Sequence, residues 1–71
     1  MSHPMYTIHT MHSQYHNGWV IYRKVAKGNM YFIDKFPTWR WGESIATVYA
    51  TRAEALFVAQ NTLDLDIYTI A

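Results

Sequence analysis

Apolar positions recur every three or four residues in one stretch of the chain, Thr51 to Leu63. At 100° per residue, Ala55, Leu56, Ala59 and Leu63 share one face, while Glu54 and Asn61 point away. Thr51 can accept a backbone N–H of the first turn, and Glu54 can reach back to it. This is a capping box ahead of an apolar run, and it predicts a helix. Two alanines on the buried side allow that helix to lie close against what it covers.

Elsewhere the pattern is that of strand and turn. Residues 1 to 4 read as a short free end, with Pro4 delaying regular structure. Met5 to about His16 is rich in Tyr, Thr and Ile and predicts a first strand. Asn17-Gly18 then predicts a type I′ hairpin turn, which needs positive φ at both positions. Trp19 to Val25 is the second strand, Gly28-Asn29 the next turn, and Met30 to Phe36 the third strand. Pro37 to Ser44 breaks the pattern, Ile45 to Ala50 predicts a fourth short strand, and Asp64 to Ile70 alternates as a fifth, at an edge.

The second turn sets a register. It places Arg23 opposite Asp34, Val25 opposite Phe32 and Ile21 opposite Phe36. One face then carries Trp19, Ile21, Val25, Met30, Phe32 and Phe36, the expected core. The other carries Tyr15, Val20, Tyr22, Lys24, Tyr31, Ile33 and Lys35. The expected architecture is a single α+β domain over residues 1–71. It has a small antiparallel sheet of four to five strands, in the order β-β-β-β-α-β, with one helix packed on one face.

Size sharpens this picture. A chain of 71 residues buries about 60% of the surface its unfolded form exposes, so its core is marginal. With no cysteine there is no disulfide or thiolate metal site, which fits a reducing compartment. Twelve aromatic residues are more than so small a core hides, so some are expected to face solvent or a partner. The net charge of +1 is unevenly spread. Arg23, Lys24, Lys27, Lys35 and Arg40 oppose only Asp34 before residue 43. Beyond that, Arg52 opposes Glu43, Glu54, Asp64 and Asp66, so the molecule is bipolar. No long apolar leader or run of about 20 apolar residues occurs, and the reading is a soluble, cytoplasmic protein without a membrane partner.

Three groups of residues bear on function. His9, His12 and His16 would align for a metal on a helix, but strand composition sends His9 and His12 to opposite faces, so no metal site is assigned. The tyrosine–lysine face, with Tyr15, Tyr22, Lys24, Tyr31 and Lys35, suits either a protein interface or the stacking of unpaired bases. Trp39-Arg40-Trp41 lies in a Pro/Gly-bounded loop, where an extended chain cannot turn both tryptophans inward. Trp and Arg are the types most enriched at binding hot spots; the structural alternative has one Trp plugging the core and Arg40 stacked on the other. No nucleophile elbow or phosphate loop is present, Asp64 and Asp66 read as edge charges that deter aggregation, and neither an enzyme nor a cofactor is expected.

Gly18-Trp19 and the helix entry Thr51-Arg52-Ala53-Glu54-Ala55 resemble the three-stranded sheet plus helix of plant ethylene-response-factor DNA-binding domains and of recombinase arm-binding domains. The resemblance covers about residues 18 to 61. Those families read DNA with arginines across the sheet, whereas this sheet offers Arg23 among lysines and tyrosines. In size and aromatic content the chain also resembles accessory proteins of bacteriophages and mobile elements, including inhibitors of host defence. The leading expectation is a non-enzymatic module that binds another protein, as an inhibitor or adaptor, in the cytoplasm of a bacterial host if phage-encoded. Trp39, Arg40 and Trp41 are its expected anchor, and Tyr15, Tyr22, Lys24, Tyr31 and Lys35 the surrounding contacts. The alternatives are a nucleic-acid binder using the same face and a homodimer formed through a free edge strand.

Overall fold

The computed structural model describes residues 6–35, 37–63 and 67–71. Within them the Tyr-, Ile- and Val-rich stretches are extended, as residues that pack well on a pleated surface should be. Strands β1 (Tyr6–His12), β2 (Trp19–Val25), β3 (Gly28–Ile33) and β4 (Thr38–Arg40) form an antiparallel meander. A 3-10 turn at Glu43–Ile45 and helix α1 (Arg52–Thr62) lead to β5 (Tyr68–Ile70). The sheet order is β4-β3-β2-β1-β5, a five-stranded sheet with one helix on one face. It is a mixed sheet, because β5 pairs in parallel with β1. A return over the sheet by way of a helix permits that direction, which a tight hairpin does not. No helix of the described residues is long and apolar enough to cross a membrane.

Helix α1 starts where its cap dictates: the Thr51 hydroxyl accepts the Glu54 N–H at 3.1 Å. Ala55 and Ala59 are completely buried, Leu56 and Leu63 half-buried, and Glu54 and Asn61 exposed. The helix lies over β1, β2 and β5. Beneath it Ile8, Ile21 and Phe32 are fully buried, with Tyr49 at the margin and Trp19, Trp39, Leu63, Tyr68 and Ile70 packed around them. Each of the three buried side chains contributes about 1.5–3 kcal/mol through removal from water.

Both hairpins depart from the expected register. The first is a six-residue loop, since His12 pairs with Trp19 and the Ser13 N–H donates to the Gly18 carbonyl at 2.8 Å. Asn17 has no positive φ, so no type I′ turn forms there. The Ser13 hydroxyl outcompetes it by accepting the N–H groups of Tyr15 and His16. Gly18 is needed for a different reason. A Cβ there would stand 2.5 Å from Val48 and 2.6 Å from the Tyr49 carbonyl oxygen, which docks beside it in a two-way backbone bridge with Trp19.

In the second hairpin Val25 pairs with Gly28, so Ala26 and Lys27 form the turn and Gly28 supplies the left-handed φ of 142°. Arg23 therefore opposes Met30 rather than Asp34. The displacement is four residues, an even number, so the two faces keep their membership. The expected fourth strand is also relocated. Residues 45–50 form no strand; their β pairing among the described residues is the isolated Trp19–Tyr49 bridge, whereas Thr38–Arg40 pairs with the free edge of β3. That pairing sets the Trp39 ring against Phe32, at 5.3 Å between centroids. Phe36 and Asp64–Asp66, which the sequence reading assigns to the third and fifth strands, lie outside the described residues.

Candidate functional site

Alternation along β4 separates the Trp-Arg-Trp triplet. Phe32 opposes Trp39 and Tyr31 opposes Arg40, so Trp39 joins the helix-side core and Arg40 the opposite face. The Trp39 indole N–H donates to the Tyr68 hydroxyl at 3.2 Å, and its ring also lies 5.9 Å from that of Tyr68. The cation stacked on it is Arg23, not Arg40. The Arg23 guanidinium sits 4.5 Å from the Tyr6 ring centroid and 5.0 Å from that of Trp39, and its buried Nε has no hydrogen-bond partner. Two ring faces take the place of a carboxylate there. Trp39 is thus packed against the core, and of the three residues expected as an anchor only Arg40 and Trp41 are exposed.

After Trp41 the chain folds across the helix-free face. Ala46 packs on Val20 and Tyr31, with Met11 and Tyr22 beside them, forming a second, smaller cluster. The loop after β1 reaches the same place. One Glu43 carboxylate oxygen, Oε2, accepts the Ser13 hydroxyl at 2.9 Å and the Gln14 N–H at 2.7 Å. The His16 Nε2 lies 2.9 Å from the Ser44 carbonyl oxygen. That oxygen can only accept, so Nε2 carries the proton. Between these two tied segments is an open concavity of about 380 Å³, lined by Tyr15, Tyr31, Trp41, Gly42, Glu43 and Ser44.

Tyr31, 9% exposed, is the buried member of this wall, while Tyr15 and Trp41 are 66% and 55% exposed. Ile45, also 55% exposed, lies 3.7 Å from the position a Cβ on Gly42 would take. No ring contact joins Tyr15, Tyr31 and Trp41 to one another among the described residues; the three side chains border the space without filling it. Three of the expected contact residues are therefore assembled in one place. Tyr22 lies next to them in a row across the sheet: His9 opposes Tyr22, Tyr22 opposes Tyr31, and Tyr31 opposes Arg40. His9 stacks on Tyr22 at 5.1 Å and 22° between planes. Lys24, exposed opposite Asn29, and Lys35, in the turn after β3, do not line the concavity.

The three described histidines go to three surroundings. His9 is in the row just described, His12 packs edge-on against Trp19 at 5.8 Å, and His16 is in the loop. Among the described residues no group of three His or carboxylate side chains could hold a metal ion. Among the described residues the one strongly shifted acid is Tyr49 on the helix side. Burial, then the hydrogen bond its hydroxyl donates to Asp34 at 2.8 Å, push the phenol far above its ordinary value. It is a structural contact, remote in character from the open concavity.

Sequence reasoning missed Gly42, Glu43 and Ser44 as lining residues, and Ser13 as the partner of Glu43. Ser13 and Glu43 are 30 residues apart, and no local pattern couples them. Comparison of the chain with protein-family models, curated proteins and solved structures returned no match.

Proposed function

We propose that this chain is a non-enzymatic binding module that occupies a surface on another protein, as an inhibitor or adaptor does, through the concavity bordered by Tyr15 and Trp41. One observation carries the reading: two large aromatic side chains more than half exposed, with Ile45 beside them, flank one recess on a domain with a marginal core. Exposed aromatic surface of this kind costs solubility unless a partner uses it. Tyr and Trp supply contact area at small entropic cost, and Arg40 next to Trp41 adds a third residue type favoured at such centres. Trp39 has no place in this reading, since its ring is part of the core.

The experiment is affinity capture from lysate, with nuclease, at two salt concentrations, comparing the wild type with a Tyr15→Ala/Trp41→Ala variant of verified fold. A stoichiometric protein band held by the wild type and lost by the variant is the expected result. A band held equally by both removes this site from the function.

A second reading has its own observation, the transverse row His9–Tyr22–Tyr31–Arg40 with Lys24 on the same face. Stacked rings beside cations suit unpaired bases. It predicts oligonucleotide affinity that falls steeply with salt, because phosphate contacts release counterions. A protein interface centred on Trp41 is far less salt-sensitive.

A further inference from the structure

The walls of the concavity carry more chemical information than their apolar character. Aromatic faces present negative charge density to whatever enters between them, and Tyr15, Tyr31 and Trp41 stand around the space without stacking on each other. The fourth chemically distinct wall is Glu43, a carboxylate. Its Oε2 accepts two hydrogen bonds, from Ser13 and Gln14, which use both lone pairs of that oxygen. Its Oε1 has no partner among the described residues, and no cation of those residues pairs with the carboxylate. Arg40, three residues before Glu43 in the chain, is not among the lining residues. The recess is therefore aromatic on three sides, anionic at one point and open to solvent.

We infer that the concavity receives a lysine side chain of the protein partner, with its ammonium between the rings and against Glu43 Oε1. This rests on the binding-module reading of the same site. Charge complementarity selects a cation, and the state of Glu43 selects which one. A guanidinium gains most from a carboxylate by bonding both oxygens side by side, and Oε2 is already saturated. An ammonium is a compact point charge that needs a single free oxygen. Its four-carbon stem packs along aromatic walls.

The test is titration of the intact ¹⁵N-labelled protein with three probes: Nα-acetyl-lysine amide, Nα-acetyl-norleucine amide and Nα-acetyl-arginine amide. The Trp41 indole resonance, assigned by its loss in Trp41→Phe, is the readout. The expected result is a saturable shift with the lysine probe, one at least about fivefold weaker with the arginine probe, and almost none with norleucine amide, which lacks the charge. Glu43→Gln, whose side-chain oxygen can still accept from Ser13 and Gln14, is expected to weaken lysine binding by about fivefold. Equal response to lysine and norleucine amides, or an unchanged lysine response in Glu43→Gln, overturns the inference. If that happens while Tyr15→Ala/Trp41→Ala still abolishes capture of the partner, the binding module stands and only its lysine specificity falls. If capture survives the double substitution, the module reading falls, and with it the partner as the source of the lysine.

Discussion

Both faces of the sheet carry Tyr, Ile and Val, yet they are closed in different ways. On one, a capped helix lowers two alanines onto Ile8, Ile21 and Phe32, and little of that surface meets water. On the other, among the described residues, Ala46 and the 3-10 turn come down with the loop after β1 tied to them, burying Val20 and Tyr31 but leaving Tyr15, Trp41 and Ile45 in solvent. Trp39 and Trp41, two residues apart, fall on opposite sides of this divide. A helix covers a face continuously, whereas a loop covers it in patches and leaves recesses. One face is closed by the helix, and the other is covered in part, with its exposed aromatics left at the recess.

The contrast makes graded predictions. Trp39→Ala should cost about 3–5 kcal/mol, because it empties the site packed by Phe32, Tyr68 and Arg23 and strips Arg23 of one of its two rings. Urea unfolding followed by circular dichroism measures this, and a loss below about 1 kcal/mol would erase the distinction between the two tryptophans. Gly18→Ala strikes the seam where the chain passes from Ala46 on one face to Tyr49 on the other. The added methyl meets the Tyr49 carbonyl, so a cost of about 1–3 kcal/mol is expected in the same assay.

Tyr49→Phe should cost about 1–2 kcal/mol by leaving Asp34 without its donor. It also carries a pH signature. The folded phenol holds its proton more tightly than the unfolded one, whose value is 10.0. Its stabilising effect is therefore complete below pH 10 and is lost as pH rises above it. Wild-type stability should fall between about pH 10 and 12 more steeply than that of Tyr49→Phe, and parallel curves would contradict the assignment. Smallest of all, Trp41→Ala should change stability by no more than about 0.5 kcal/mol while removing partner capture.

Much of this comparison was legible in the residues. The core face of Trp19, Ile21, Met30 and Phe32 and the opposing face of Val20, Tyr22, Lys24 and Tyr31 follow from alternation. They survive a four-residue error in register because side chains repeat every two. The helix was legible from Thr51 as cap to the buried pair Ala55 and Ala59, although of the two capping-box hydrogen bonds only that from the Glu54 N–H to the Thr51 hydroxyl forms among the described residues. The candidate site was legible only in parts. Tyr15, Tyr31 and Trp41 stood out as aromatic surplus, but nothing local tied them together or excluded Trp39.

The sequence by itself determined what depends on neighbours along the chain: the helix with its cap, the strand stretches, and which residues share a face. The tertiary structure decided what depends on competition between distant segments. Ser13 and Glu43 displaced the Asn-Gly turn, and the open edge of β3 turned an irregular loop into β4. Contacts made across 30 residues by closing long loops leave no periodic trace, because their free energy is realised only when the whole sheet is in place.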